Sequence, residues 1–397
     1  MRNGSGGCPD AVCTPLGWSL LGPAFKTVAA PGNETSCFVA HVSATVPQSS
    51  MQVMFLKDES DVISMDGEFD DSQDDVRQHA MSEEDRRTYA LMKQSIEYIN
   101  GHYQLPLPWP CDYQILPDNI DMARKRLTGL KRRFQRNPEV HQKYTDQMRL
   151  SIEKGNAEEV PEDEIDADRR KWYIPYHVVF SEQKPDKLRI IFDCAAQHHG
   201  VSLNQVLLQG PDLNNRLDAV LLRFRKESTA LVADVEAMFR HVLVSPRDRY
   251  SLRFLWWRDG DFTKEAIPHR MKIHLFGATF SPCCAAFSLR QAALDFGHGY
   301  EPLVASTVER ATYVDDVLTA VSDVETGIKL IDRLRLMLAK AGFRLTKWLS
   351  NDERILASLP EKELAKSVQT HSIDSSLQER VIEKRIYFRK ICWIVRM

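Results

Sequence analysis

Ala311-Thr312-Tyr313-Val314-Asp315-Asp316-Val317-Leu318-Thr319 sets two adjacent acids inside a run of β-forming residues. Successive side chains of a strand point to opposite faces, so an Asp-Asp pair in mid-strand would turn one charge towards the core. A tight turn at Val314-Asp315 resolves the conflict. The run then becomes a hairpin over Thr312 to Ala320, with both carboxylates near one point. Acids gathered against apolar surface are costly unless a cation compensates them. Magnesium suits that role, because it takes carboxylates and substrate phosphates in preference to an all-protein cage. A surface hairpin with a solvated Asp-Asp accounts for the same nine residues equally well, so the decision passes to the rest of the chain.

A third acid comes from Leu231-Val232-Ala233-Asp234-Val235-Glu236-Ala237-Met238-Phe239, where Asp234 stands near the end of a short apolar strand, Ala230 to Val235. Capping of the next turn is the common use of such an Asp. Three acids from two distant segments are also what a two-metal site needs, with ions about 3.5–4 Å apart clamping the attacking and leaving oxygens. Between the two segments lies Phe276-Gly277-Ala278-Thr279-Phe280-Ser281-Pro282. Gly277 permits close approach of backbone to a ligand. Ser281 as N-cap and Pro282 at the first position would start a helix reaching Leu294. Alone, that stretch is a loop-to-helix junction.

Working outward, Tyr173 to Phe180 is β-rich, and Leu188-Arg189-Ile190-Ile191-Phe192-Asp193 reads as its hairpin partner across Ser181 to Lys187. Leu213 to Lys226 reads as helix, Leu252 to Trp257 as strand, and Glu325 to Ala341 as a helix stopped by Gly342. Sheets and helices mixed in this order predict an α+β domain. Upstream, Ser82 starts a helix with acids in its first turn, and Gly101 to Pro110 is extended. A helix over Asp118 to Arg136 buries Ala123, Leu127, Leu130 and Phe134. Its other face carries Arg124, Lys125, Arg126, Lys131, Arg132, Arg133 and Arg136, either solvated or tracking phosphates. Residues 57–85 are strongly acidic and aromatic-poor, a composition expected of a disordered linker.

The 397 residues, 43% hydrophobic and 27% charged, are ordinary globular values with room for two or three domains. No run of about 18 apolar residues suggests a membrane span, and Met1 to Gly7 lacks the order of a secretory signal. A cytoplasmic protein is expected. The eight cysteines make no disulfide framework. Cys8 and Cys13 have only Cys37 nearby, which argues against zinc, and Cys283-Cys284 reads as buried packing. Residues 1–120 carry 7 Lys and Arg against 17 Asp and Glu, so the net charge of -3 hides a basic remainder. A mildly basic remainder suits an anionic partner and a solvated surface alike.

Taken in order, the chain runs from a basic hairpin through Asp234, the Gly-Ser-Pro helix, the Asp-Asp hairpin and another helix to Lys347. Over Trp172 to Asn351 this order resembles a retroviral-type reverse transcriptase. More narrowly it resembles the BEL/Pao class of long-terminal-repeat retrotransposons. The matching stretches are Lys187-Leu188-Arg189-Ile190-Ile191-Phe192-Asp193, Ser202-Leu203-Asn204, Gly210-Pro211-Asp212-Leu213, Leu221-Leu222-Arg223-Phe224-Arg225 and Phe343-Arg344-Leu345-Thr346-Lys347-Trp348. The chain departs from the pattern at Phe276, where retroviral enzymes carry Gln, and near Ala195, where a second fingers Arg is usual.

The resemblance implies fingers and palm over 166–351, with an antiparallel palm sheet and packed helices. A helical connecting region would precede them over 82–165, an acidic linker over 46–81, and a remnant over 1–45 whose Thr14-Pro15-Leu16-Gly17-Trp18 is similar to the end of a retropepsin-like protease. Residues 352–397 would be a truncated or divergent C-terminus. The implied activity is RNA- or DNA-templated DNA synthesis from dNTPs on a primer, with two Mg2+ ions or Mn2+ in their place, and no membrane partner. Asp234, Asp315 and Asp316 would hold the metals, with the Val235 carbonyl as a further ligand. Phe239 would exclude a 2′-hydroxyl, Arg189 and Lys187 would grip the triphosphate, and Gly277 would line the pocket for the nascent pair. Lys347 would protonate the leaving pyrophosphate. The competing readings are a non-catalytic nucleic-acid-binding remnant and an unrelated metal-dependent phosphotransferase.

Overall fold

The computed structural model describes residues 10–14, 17–22, 38–42, 81–110, 116–165, 170–181 and 184–365. The chain divides into two units, residues 1–76 and 77–397. In the first, β1 (Asp10–Thr14), β2 (Gly17–Gly22) and β3 (Phe38–Val42) form an antiparallel meander with Thr14 opposite Gly17 and Trp18 opposite Val42. These strands fall within the stretch of residues 1–45 whose Thr14-Pro15-Leu16-Gly17-Trp18 carried the protease-like resemblance. Cys8 and Cys37, most of the acidic linker and residues 366–397 lie outside the described residues.

The second unit opens with α1 (Glu83–Ser95), capped as expected by the Ser82 side chain, which accepts the Asp85 N–H. β4 (Glu97–Ile99) and β5 (His102–Leu105) follow as a hairpin closed by Asn100-Gly101. Both loop residues have positive φ, the backbone that a two-residue turn between twisted strands demands. α2 (Ile120–Arg136) buries Ala123, Leu127 and Phe134 and leaves Leu130 half-buried. α3 (Pro138–Glu153) was not anticipated. Asn137 caps it by accepting the Val140 N–H, Pro138 begins it, and Val140, Tyr144 and Met148 recur at four-residue spacing on its buried face.

Beyond β6 (Ala157–Glu159), β7 (Tyr176–Ser181) pairs with β8 (Lys184–Phe192). The connection is shorter than the sequence suggested, because the strands continue to Ser181 and resume at Lys184. α4 (Leu203–Val206) and α5 (Leu217–Phe224) lead to β9 (Thr229–Val235), β10 (Val242–Val244), β11 (Arg253–Trp257) and β12 (Ala266–Met271). Next come α6 (Ser281–Phe296), α7 (Pro302–Ala311), β13 (Thr312–Tyr313), β14 (Asp316–Val321), α8 (Val324–Ala339), β15 (Leu345–Ser350) and α9 (Glu353–Ala357). α8 ends ahead of Gly342, whose φ of 77° supplies the left-handed stop. The fold is α+β.

Strand pairing crosses the boundary expected near residue 165. β6 adds to β12 in the order β11-β12-β6, and β5 joins β10 in the order β10-β5-β4. Aromatic packing ties the same parts together. Phe134 and Tyr144 of α2 and α3 meet Trp256 of β11, which in turn meets Tyr176 of β7. Cys283 and Cys284 are buried free thiols, as their apolar neighbours implied, and burial pushes Cys284 up to about 12. No helix of the described residues is long and apolar enough to cross a membrane.

The sheet that carries Asp234 and Asp316 has the order β13-β14-β9-β15, with β9 antiparallel to both neighbours. Alternation along β9 sends Leu231, Ala233 and Val235 into the main core. Val232 goes to the other face, where it meets Leu318, Leu349 and the α5 residues Val220 and Phe224. Asp234 follows Val232 by two positions and Asp316 precedes Leu318 by two, so both acids lie on this second face, at its end.

Candidate active site

The register Asp316↔Asp234 makes the two acids cross-strand partners. Like charges placed directly opposite each other destabilise a sheet, so the arrangement asks for a cation. The hairpin tip brings Asp315 alongside, since its carbonyl accepts the Val235 N–H at 2.6 Å. Residues 80 apart in sequence are thus joined at the tip by backbone as well as by side-chain position. Among the described residues, no group of three or more His, Cys, Asp or Glu side chains stands close enough to form a ready-made metal cage.

A cation from the protein itself reaches the site. Lys347 Nζ lies 2.7 Å from Asp234 Oδ1. Asp234 is largely buried, with 13% of its side chain exposed against 56% for Lys347. The lysine sits where the β15–β9 register shifts between Thr346 and Leu349, and its φ is 56°. An inserted residue in a bulge re-aims its side chain, which here turns Lys347 across to the strand beside it. The neighbouring Arg344 and Glu236 close the same edge at 2.9 Å.

The Asp-Asp turn is held open against its own backbone preference. Val314 has φ 55°, a left-handed conformation that a β-branched residue rarely adopts. Its N–H donates to Asn214 Oδ1 at 3.2 Å, while Asn215 Nδ2 donates to the carbonyls of Glu309 and Thr312, both at 2.8 Å. Arg290 of α6 fixes the clamp by donating to the Leu213 carbonyl and to Asn215 Oδ1. The helix expected from Leu213 therefore starts only at Leu217, because residues 213–215 serve the turn instead.

Phe239 is half-buried in a 3-10 turn, Met238–His241, that follows Ala237 at φ 49°. Its ring centroid lies 6.0 Å from that of Phe276, which is 61% exposed. Gly277 does not simply line a cleft. With φ 103°, it packs so closely on β8 that a Cβ would meet the Phe192 carbonyl oxygen at 3.0 Å. Asn204 secures it, donating to the Gly277 carbonyl at 3.2 Å and accepting the Thr279 N–H at 3.1 Å. Ser281 corrects the sequence reading. It is the first residue of α6 rather than its cap, and its hydroxyl is buried with no hydrogen-bond partner among the described residues.

Arg189 is an exposed residue of β8, and the side chain of Lys187 lies outside the described residues. The pKa of Arg240 is lowered, chiefly by desolvation and then by the charge of Arg189. Arg189 and Arg240 are thus near enough for their positive charges to oppose each other. Sequence reasoning had not identified Arg240, Asn204, Asn214 or Asn215. The stretches containing Asn204 and the loop before Asn214 did stand out, without roles.

No protein-family model matches the chain, and no curated protein does. Solved structures give low-scoring likenesses. A foamy viral protease-reverse transcriptase in complex with double-stranded DNA aligns at a TM-score of 0.37 and 14% identity, over 49% of this chain and 28% of that one. A prototype foamy virus protease-reverse transcriptase aligns at 0.38 and 13%, over 61% and 26%. The chain spans roughly a quarter of the length of these proteins.

Proposed function

We propose that the chain is a templated DNA polymerase of the reverse-transcriptase type, joining dNTPs to a primer 3′-hydroxyl. The observation that carries this reading is the register of β14 on β9, which opposes Asp316 to Asp234 and sets Asp315 at the adjoining tip. The donor set fits Mg2+, which is commonly held by one or two carboxylates and completed by waters and substrate phosphates. Asp234, Asp315 and Asp316 would hold it, with the Val235 carbonyl as the remaining protein donor. Bound there, two such ions would neutralise charge developing on the transferred phosphoryl group.

The chain's own groups do the positioning. Arg189 and Arg240 draw the triphosphate towards β8. Gly277, tied down by Asn204, lets the loop before α6 pack closely on that strand, and the rings of Phe276 and Phe239 lie next to each other at a tilt of 48°. Lys347, one strand from Asp234, is within reach to deliver a proton to the departing pyrophosphate. The motif phrasing around Leu188 to Asp193 and Phe343 to Trp348 supports the BEL/Pao class as the narrower form of this proposal.

Primer extension on an RNA template with Mg2+, comparing the wild type with Asp315→Asn, tests the assignment. Incorporation by the wild type that disappears in the variant is expected. Nucleic-acid binding with no incorporation by either protein would identify a non-catalytic remnant. Phe239→Ala is expected to relax discrimination against ribonucleotides by about tenfold or more, a typical worth for a shaped apolar contact. Unchanged discrimination would remove Phe239 from the sugar pocket.

A further inference from the structure

The polar face of α2 carries more charge than a solvated surface helix needs. Seven of its seventeen residues are Lys or Arg and one, Asp121, is acidic. Asp121 pairs with Arg124 at 3.7 Å. Lys125, Arg126, Arg132 and Arg136 are exposed and have no acid or hydrogen-bond partner among the described residues. Arg132 and Arg136, four residues apart, repel each other, as do Arg133 and Arg136 at three. α3, which follows at once, has the usual alternative, pairing Lys143 with Glu139 at 3.1 Å and Arg149 with Asp146 at 2.7 Å. The contrast between consecutive helices sets α2 apart from an ordinary charged surface.

Helical geometry puts Lys125, Arg132 and Arg136 in one row opposite the buried Ala123, Leu127 and Phe134. The row spans about 16 Å at 1.5 Å per residue, or roughly five nucleotide steps at 3.4 Å per strand. Gly129 lies beside the row, and a Cβ there would meet nothing within 4 Å. Glycine is disfavoured in a helix interior, and packing does not require it here; its effect is to leave the backbone bare between the cations. The exposed face has no bulky apolar residue with which to enter a lipid surface.

We infer that α2 is a docking surface for the sugar-phosphate backbone of a nucleic-acid duplex, separate from the carboxylate site. Lys125, Arg132 and Arg136 contact phosphates spaced along one strand, and Gly129 allows that strand to approach the helix closely. Such contacts position a duplex without reading its sequence. This inference goes beyond the polymerase reading and does not depend on it.

The test is fluorescence-anisotropy binding of a 20-base-pair DNA duplex to the full chain, without metal or nucleotide, across a salt series. The Lys125→Gln/Arg132→Gln/Arg136→Gln variant is compared with Lys226→Gln/Lys264→Gln/Lys329→Gln, which loses the same charge elsewhere. Circular dichroism verifies that both remain folded. The α2 variant is expected to bind at least tenfold more weakly at low salt, with a log–log salt slope shallower by about 2.7, the value for three phosphate contacts. The control is expected to keep the wild-type slope. An unchanged slope in the α2 variant, or an equal change in the control, would overturn the inference. So would phosphatidylserine vesicles that bind as tightly as the duplex and lose binding in the same variant. Because binding is scored without incorporation, a failed polymerase reading and a failed α2 surface give different results.

Discussion

Asp234→Asn should lower single-turnover primer extension at least a thousandfold while melting no lower than the wild type. The rate loss follows from removing a carboxylate that opposes Asp316 across the strand pair. Metal stabilisation of transition-state charge is worth several kcal/mol, and each 1.36 kcal/mol is tenfold in rate. The stability forecast follows from the same geometry. The substitution removes repulsion between facing carboxylates, which opposes sheet pairing. It also removes the ion pair with Lys347, whose own side chain is 56% exposed although Asp234 is only 13% exposed; screened through the lysine, the pair is taken at about 1 kcal/mol, the upper end for exposed pairs. The two losses have opposite signs and similar size. A variant extending primers within tenfold of the wild type would show that Asp234 does not bind the catalytic metal, and one that melts far lower would show that the acid is structural.

Lys347→Met should produce opposite effects on two measurements. As proton donor to the leaving group, Lys347 would account for about a hundredfold to ten-thousandfold in rate, and that should be lost. Metal affinity should rise, because the ammonium 2.7 Å from Asp234 Oδ1 competes with an incoming divalent ion. A partly exposed pair worth about 0.2–1 kcal/mol converts to an affinity gain of roughly 1.5- to 5-fold. Electron paramagnetic resonance of free Mn2+ reads that gain directly, with no turnover needed. Methionine has no β-branch and tolerates the φ of 56° about as well as lysine. Unchanged Mn2+ affinity would contradict the competition, and an unchanged rate would contradict the proton transfer.

The two local signals at the site were legible for a physical reason. Paired acids among β-formers have few solutions, and a turn at Val314-Asp315 is one, so the hairpin could be read directly. Asp234 near the end of an apolar strand was equally plain. What the sequence did not carry was the register between them, which depends on β9 and β14 meeting across 80 residues. The Asn214 and Asn215 bonds span about 100 residues, and such contacts leave no periodicity to detect. Lys347 was singled out by motif, but its approach to Asp234 depends on a bulge that alternation cannot reveal. α3 is a different kind of miss, since Asn137-Pro138 and the spacing of Val140, Tyr144 and Met148 were available signals. Ser281 was assigned as a cap because local preference favoured it, whereas tertiary packing drew its hydroxyl inside.

The clamp on the Asp-Asp turn also explains why neutral amides occupy positions 214 and 215. Aspartate at 214 could accept the same Val314 N–H, but it would bring a further negative charge beside an already crowded tip. Aspartate at 215 could not replace the donor that two main-chain oxygens share. Carboxamides aim the tip without altering its charge, so the field at the tip is set by its acids and its lysine while the bracket behind them stays electrically silent.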